Sequence, residues 1–167
     1  VDEHAIAFAP SNPSFIVIGN DGGIDYSTNG GSTWLASTSL PITQFYAGDI
    51  DNNNPNTILG GAQDNGTNRT TGTVDNWQNI YGGDGFTSHI DYTNSNIIYC
   101  TSHNGGLGRS TNNGATFSDI TSGLSGRFNW STPYILDIQD PAILYVGSHM
   151  LFRSTNRGTS WSAIKLA

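Results

Sequence analysis

The stretch Ser27-Thr-Asn-Gly-Gly-Ser-Thr-Trp34 decides the fold, because it returns twice further along the chain without gaps. The two copies are Ser110-Thr-Asn-Asn-Gly-Ala-Thr-Phe117 and Ser154-Thr-Asn-Arg-Gly-Thr-Ser-Trp161. They start 83 and 44 residues after the preceding copy, so the first gap spans about two periods. A decayed copy that keeps only the final aromatic, Thr70 to Trp77, fills that gap.

A second pattern has the same period. Asp51, Asp91 and Asp137 each follow an apolar residue and precede a turn with Pro or Ser, and Ala9 takes this position first. The two patterns divide the chain into four repeats, approximately 1–43, 44–84, 85–131 and 132–167. Each repeat contains four strand-like runs, which in the first are about 4–9, 15–19, 23–28 and 33–37.

Four antiparallel strands in about 40–50 residues are typical of one blade of a β-propeller. The predicted fold is therefore all-β: a β-propeller of four-stranded antiparallel blades, with four blades in this chain. It is expected to form a single propeller domain, either a whole small propeller or a segment of a larger one. Because no initiator Met is present and Val1 lies close to a strand, we expect a processed product or a fragment.

The composition agrees with short strands and many turns. Gly, Asn, Ser and Thr make up 75 of the 167 residues, and these are mostly turn formers. Good helix formers are scarce, with one Lys and one Glu in the whole chain. Disorder is disfavoured because 35% of the residues are hydrophobic and 11% are aromatic, which is enough for a core.

The charge and the residue spacing exclude several classes of partner. A net charge of −7 with six scattered basic residues gives no patch for phosphates, so nucleic-acid binding is not expected. No apolar run approaches the ~20 residues of a membrane-spanning helix. The four histidines lack metal-ligand spacing, and Asp49 to Asn54 lacks the Gly of a Ca²⁺ loop. We therefore predict no metal and no cofactor.

The repeated motif resembles the Asp-box, or BNR, repeat of sialidase-like, sortilin-like and xyloglucanase-like propellers. Its pattern is Ser-x-Asp-x-Gly-x-x-Trp, and here Asn29, Asn112 and Asn156 replace the Asp. The whole chain is similar to propeller segments of secreted Bacteroidetes-type BNR-repeat proteins, as the glycine-rich runs at 19–24, 60–67 and 82–85 also indicate. The resemblance implies a secreted, extracellular protein. It does not imply one activity, because hydrolases, receptors and scaffolds share the repeat.

Each box is expected to stabilise the hairpin between the third and fourth strands of a blade. The Asn side chain should bond backbone N–H groups two residues on, the Gly should adopt positive φ, and the aromatic should begin the fourth strand. The structural box residues are Ser27, Asn29, Gly31, Trp34, Ser110, Asn112, Gly114, Phe117, Ser154, Asn156, Gly158 and Trp161. Cys100 aligns with core positions of second strands and is expected to be a buried thiol.

The opposite face of the blades is the better place for a ligand. Loops at 20–23, 63–66, 103–106 and 148–149 should lie there, together with the loops at 81–86 and 127–130. Carboxylates, amides and flat aromatic rings recognise sugar hydroxyls and ring faces. The predicted ligand-binding residues are Asp21, Asp64, Asp84, His103 and Trp130, although turns that need these residues for their own backbone bonds are the competing interpretation.

The function favoured by the sequence is a non-catalytic extracellular module that binds glycans or proteins or serves as a scaffold. One alternative is a structural protein that assembles head-to-tail with its own copies, because propeller arcs expose sheet faces at both ends. A second is a fragment of a glycoside hydrolase using Asp21 and Asp84 as its carboxylate pair. Three N-glycosylation sequons, at Asn65, Asn68 and Asn129, would be used only in a glycosylating secretory pathway.

Overall fold

The computed structural model describes residues 2–37, 43–73 and 75–164, and these form four separate antiparallel sheets of four strands each. The strands of each sheet are hydrogen-bonded in chain order. The first sheet comprises β1 (Glu3–Ala9), β2 (Asn12–Asn20), β3 (Gly23–Ser27) and β4 (Leu35–Ala36). The second comprises β5 (Phe45–Ile50), β6 (Thr57–Ala62), β7 (Gly66–Thr71) and β8 (Gln78–Tyr81).

The remaining two sheets repeat this pattern. The third comprises β9 (Ser88–Ile90), β10 (Ile98–Thr101), β11 (Leu107–Ser110) and β12 (Ser118–Asp119). The fourth comprises β13 (Tyr134–Leu136), β14 (Leu144–Gly147), β15 (Leu151–Ser154) and β16 (Ser162–Ile164). A 3-10 turn, His103–Gly105, joins β10 to β11. The all-β prediction of four four-stranded antiparallel blades is confirmed.

The chain forms two compact units, Val1–Gln44 and Phe45–Ala167. The first unit contains the first sheet, and the second unit contains the other three. The single domain over 1–167 stays a prediction. Parts of the predicted repeats at 38–42 and 165–167, and Val74 of the decayed copy, lie outside the described residues.

The core of the second unit lies between consecutive sheets. Between the third and fourth sheets, seven buried residues pack together: Ile97, Tyr99, Leu107, Ile120, Tyr134, Leu144 and Val146. Between the second and third, Leu59, Ile90, Ile98 and Cys100 form a smaller cluster. Burial raises the pKa of the Cys100 thiol to about 12, so it is uncharged at neutral pH. The prediction of a buried core thiol is confirmed.

The repeated turn has the same hydrogen bonds in all three copies. In the first, the Ser27 hydroxyl accepts the backbone N–H groups of Asn29 and Gly31 at 3.3 and 2.9 Å. Asn29 Oδ1 accepts the Ser27 hydroxyl and the backbone N–H of Thr33, each at 2.9 Å. The equivalent bonds recur at 110–116 and 154–160. We call these three segments the Ser-Thr-Asn turns.

Two details of the predicted turn were wrong. The Asn side chain bonds the backbone N–H four residues on, as Asn29 does to Thr33, and the Ser hydroxyl reaches the N–H two residues on. The aromatic does not begin the fourth strand, because β4 starts one residue after Trp34 and β16 one residue after Trp161. Since Asn carries its oxygen on a longer side chain than Ser, it spans the whole turn. The predicted positive φ is present, with 88° at Gly31.

The Asp of the second pattern also closes a turn. Asp51 Oδ1 accepts the backbone N–H of Asn53 at 2.9 Å, and Asp137 Oδ1 accepts that of Gln139 at 2.8 Å. Asp91 Oδ1 accepts the N–H and the hydroxyl of Thr93 at 2.9 and 2.7 Å. The short Asp side chain thus replaces a backbone acceptor two residues before the donor.

Candidate functional site

Three of the predicted ligand-binding residues lie together in the second unit. Asp84 Oδ1 accepts the backbone N–H of Asp64 at 3.0 Å, and Asp84 Oδ2 lies 3.6 Å from His103 Nδ1. Asp64 adopts a φ of 55°, which turns the chain between β6 and β7. The loops after three different strands therefore meet at the Asp84 carboxylate.

A cluster of three aromatic rings belongs to the same unit. The Tyr46 and Phe86 rings are stacked with centroids 5.3 Å apart, and Trp130 meets Phe86 edge-on at 4.6 Å. Phe86 is buried, whereas Tyr46 and Trp130 are 39% and 44% exposed. Phe86 lies two residues after Asp84, and the backbone N–H of Asn104, next to His103, donates to the Trp130 carbonyl at 3.0 Å. We call Tyr46, Asp84, Phe86, His103 and Trp130 the aromatic–acid cluster.

Two glycines allow the loop that carries Asp84 to pack closely against the end of β6. The backbone N–H of Gly85 donates to the Ala62 carbonyl at 2.9 Å, which fixes the loop on the end of β6. A Cβ at Gly85 would lie 2.1 Å from the Gly66 carbonyl oxygen, and one at Gly61 would lie 2.0 Å from that of Phe86. Any side chain at either position would displace the loop, and with it Asp84 and Phe86.

Asp21, the remaining predicted residue, lies in the first unit. Its Oδ1 is 2.6 Å from His4 Nε2, and its Oδ2 accepts the backbone N–H of Asp2 at 3.2 Å. The hydrogen bond to Asp21 raises the pKa of His4. Asp21 also lines a cleft of about 250 Å³ with Asn20 and Gly23. The pairing of Asp21 with Asp84 stays a prediction, because each residue belongs to its own unit.

Sequence reasoning missed Tyr46, the residue that completes the aromatic surface. Its hydroxyl donates to Gln63 Oε1, which ties the ring to the loop that also carries Asp64. The available signal was the pair Phe45-Tyr46, two aromatics in a row at the start of a strand. Only one of two adjacent strand residues can point to a given face, so the other had to point elsewhere.

The three sequon asparagines belong to the second unit. Asn65 and Asn129 are exposed. Asn68 is partly buried and its Nδ2 donates to the Asn65 carbonyl at 3.0 Å, so a glycan there would be attached to a nitrogen that already takes part in a hydrogen bond. Their glycosylation stays a prediction.

A second ionisable contact joins the first strands of the second and third sheets, β5 and β9. Asp49 Oδ2 lies 3.5 Å from His89 Nδ1 and accepts the backbone N–H of Ile90 at 2.8 Å. Burial by itself would raise the pKa of Asp49, but His89 and the N–H groups of Ile90 and Ile50 outweigh it and hold that pKa below its usual value. The ionised carboxylate is therefore bound more favourably in the folded chain than in the unfolded one.

This contact predicts a sensitivity to acid. Since the folded pKa of Asp49 is depressed, its contribution to stability is present above the unfolded pKa of about 3.9 and is lost as the pH falls through the folded value. We expect Asp49→Asn to flatten the fall in unfolding free energy between about pH 5 and pH 3. Urea titrations across that range measure it, with the exposed Asp75→Asn as control. Equal slopes in wild type and Asp49→Asn would contradict the assignment.

Within the residues that the structure describes, no helix has the length and apolar character needed to cross a membrane. The same residues contain no group of three or more His, Cys, Asp or Glu side chains placed to hold a metal ion.

The chain is similar in structure to several solved β-propeller proteins. Over 97% of this chain, an ancestral GH74 enzyme is 19% identical with a TM-score of 0.58. Over 96%, the GH74 enzyme of Niastella koreensis is 26% identical with the same TM-score of 0.58. YCF48 from Cyanidioschyzon merolae is 13% identical over 99% of the chain, with a TM-score of 0.54. No protein-family model and no curated protein sequence matches the chain.

These structures are longer than the chain. It spans 24% of the length of each of the two GH74 enzymes and 56% of that of YCF48. The likeness to the ancestral enzyme and to YCF48 concerns the fold alone. All three are β-propeller proteins, so the β-propeller class rests on them together with the four sheets described above.

Proposed function

We propose that the chain is an extracellular, non-catalytic Asp-box propeller module that binds glycans at the aromatic–acid cluster. One observation carries the proposal: two exposed rings, Tyr46 and Trp130, flank a buried ring beside a carboxylate and an imidazole. The Ser-Thr-Asn turns then serve as Asp-box turns that hold the blades.

The chemistry of the cluster fits a sugar better than an apolar or a charged ligand. A pyranose presents an apolar C–H face, which packs on an aromatic ring, and equatorial hydroxyls, which bond carboxylates and imidazoles at its edge. Trp130 offers the ring, and Asp84 and His103 offer the polar groups. With a net charge of −7, the chain would repel acidic ligands, so a neutral polysaccharide is the best substrate class for binding.

Hydrolysis is the second candidate, because the Niastella koreensis GH74 enzyme is 26% identical over 96% of the chain. Its carboxylate pair would be Asp21 and Asp84. Both carboxylates already accept backbone N–H bonds, Asp21 from Asp2 and Asp84 from Asp64. Hydrolysis needs both carboxyl groups at the substrate's scissile bond, so carboxylates that already hold their own loops favour binding over hydrolysis.

Trp130→Ala tests the proposal. Loss of the exposed ring is expected to weaken binding of neutral oligosaccharides about tenfold or more, which equals about 1.4 kcal/mol. Isothermal titration with cello-oligosaccharides and xyloglucan oligosaccharides measures this. The matched control is Trp77→Ala, which removes a ring of similar exposure that lies just before β8 and packs on Phe45 of β5.

The same samples separate binding from hydrolysis. Binding that Trp130→Ala and Trp77→Ala reduce equally, or no binding by the wild type to any of these sugars, would contradict the proposal. Release of new reducing ends by the wild type, abolished in Asp84→Asn, would favour the hydrolase instead.

A further inference from the structure

An arginine occupies the same position on the third strand of three sheets. Arg69 on β7 is paired with Leu59, Arg109 on β11 with Tyr99, and Arg153 on β15 with Tyr145. The first two reach forward to the Ser-Thr-Asn turn of the next sheet. Arg69 donates to the Asn113 carbonyl, and Arg109 donates to the Arg157 carbonyl and to Thr159 Oγ1, the latter at 3.2 Å.

In both cases the carbonyl acceptor belongs to the fourth residue of the turn. Asn113 and Arg157 have φ of 55° and 58°, and their backbone N–H groups donate at 2.9 Å to Asn96 and Ala142. This fixed left-handed conformation turns the carbonyl toward the preceding sheet. The same hydrogen bond, from the arginine of one sheet to the turn carbonyl of the next sheet, therefore occurs twice. We call this contact the latch.

A second contact accompanies the latch. The Trp161 indole N–H of the fourth sheet donates to the Ile120 carbonyl at the end of the third sheet, at 2.7 Å. The Ile120 side chain fills the space beside Gly158, where a Cβ would lie 2.5 Å from Ile120 Cδ1. At this junction the fourth sheet thus offers a turn carbonyl and an aromatic ring, and the third sheet offers an arginine and an isoleucine.

The fourth sheet also carries the arginine and the isoleucine, but it is the last sheet of the second unit, so this unit has no later sheet to contact them. Arg153 is partly buried, and in the described part of this unit its guanidinium makes no hydrogen bond. Ile164 takes the place of Ile120, since Ser162 pairs with Arg153 as Ser118 pairs with Arg109. Beside them a cleft of about 210 Å³ is lined by Tyr134, Ile135, Tyr145 and Leu151, and Ile135 is 59% exposed.

The first sheet carries the complementary groups. Gly30 is the fourth residue of its Ser-Thr-Asn turn, with φ of 69° and its N–H donating to Ser14 at 2.9 Å, as in the other two turns. Trp34 takes the place of Trp161 and is 42% exposed. Ile6 and Phe8 on β1 are also exposed.

We propose that the fourth sheet of one chain binds the first sheet of a second copy, head to tail. In this contact Arg153 donates to the Gly30 carbonyl of the copy, and the Trp34 indole of the copy donates to the Ile164 carbonyl. The pairing reuses both contacts that join the third and fourth sheets. A guanidinium-to-carbonyl bond beside buried apolar side chains gives orientation as well as affinity. Because the two surfaces differ, the contact is heterologous and can be repeated.

Two variants of the full chain test the contact, each damaging one surface. Arg153→Leu removes the guanidinium from the fourth-sheet surface, which we call the tail. Trp34→Ala removes the indole ring from the first-sheet surface, which we call the head. Sedimentation velocity over a wide concentration range is expected to show that the wild type associates. For each variant the dissociation constant should be about tenfold higher or more. Arg127→Leu, at an exposed arginine that takes no part in the proposed contact, is the control and should associate like the wild type.

A mixture of the two variants makes the test independent of folding defects. Trp34→Ala keeps an intact tail and Arg153→Leu keeps an intact head, so the mixture should form dimers of twice the 17.8 kDa chain mass and nothing larger. A wild type that stays monomeric at all concentrations would overturn the proposal. So would a mixture that stays monomeric, or an Arg127→Leu variant as weak as Arg153→Leu.

Discussion

Replacing Arg157 with Asn is expected to lower the free energy of unfolding by about 3 kcal/mol. Arg157 Nε and a terminal guanidinium nitrogen donate to Asp91 Oδ2 at 3.2 and 3.1 Å, and the Asp91 side chain is fully buried. Without Arg157 this carboxylate is left in the interior with only Thr93 as partner. Removal of one member of a buried pair typically costs about 3–5 kcal/mol, and the partial exposure of Arg157 places the loss at the low end.

Asn is the right replacement because it removes the positive charge of Arg157 without changing the backbone conformation of the turn. Arg157 has φ of 58°, and Asn113 holds the equivalent position of the preceding turn with φ of 55°. Asn tolerates this conformation better than most residues. A loss of stability in Arg157→Asn therefore reports the missing guanidinium rather than strain in the turn.

Urea denaturation of a double-mutant cycle measures the effect. Asp91→Asn combined with Arg157→Asn removes the uncompensated charge and is expected to be more stable than Arg157→Asn alone. A single variant within about 0.5 kcal/mol of wild type would mean that water or Thr93 satisfies Asp91 without Arg157.

The fold was predictable because its determinants are local. Ser27, Asn29 and Gly31 make their hydrogen bonds within one turn, so the repeat in the sequence is also the repeat in the structure. The prediction placed the backbone partner of Asn29 two residues on, whereas it lies four residues on, at Thr33. Both positions belong to the same turn, so the predicted fold is unaffected. Asp51 and Asp137 likewise bond their own turns, as their repeated position indicated.

The contacts between sheets were not predictable in the same way. Arg69 and Arg109 bond residues 44 and 48 positions further along the chain, and only the packing of one sheet on the next brings them together. Asp91 was identified as a turn residue, but its second oxygen meets Arg157 across such a contact.

The candidate site shows the same division. The loop motifs brought Asp64, Asp84 and His103 to attention, because glycine-rich turns with carboxylates stand out in a sequence. Tyr46 belongs to a strand and carries no motif, so its place beside Phe86 follows only from three-dimensional packing. Aromatic residues at strand ends next to glycine-rich loops are therefore the residues to examine first in related repeats.

The second large effect is expected at Trp161, the aromatic of the last Ser-Thr-Asn turn. Its ring packs against the cluster between the third and fourth sheets, and its indole N–H donates to the Ile120 carbonyl at 2.7 Å. Because Trp161 is partly buried, Trp161→Ala should lower the free energy of unfolding by about 3 kcal/mol, the low end of the range for Trp-to-Ala changes in cores. Thermal and urea unfolding followed by circular dichroism measure it.

Trp161→Phe divides this loss into packing and hydrogen bonding. Phe117 holds the equivalent position of the preceding turn, so a phenyl ring is compatible with the turn. The Phe variant keeps most of the ring contact but leaves the carbonyl of the buried Ile120 without its donor, for a loss of about 1–3 kcal/mol. The order of stability should be wild type, then Phe, then Ala. A loss below about 1 kcal/mol in the Ala variant would mean that the aromatic is not what joins the fourth sheet to the third.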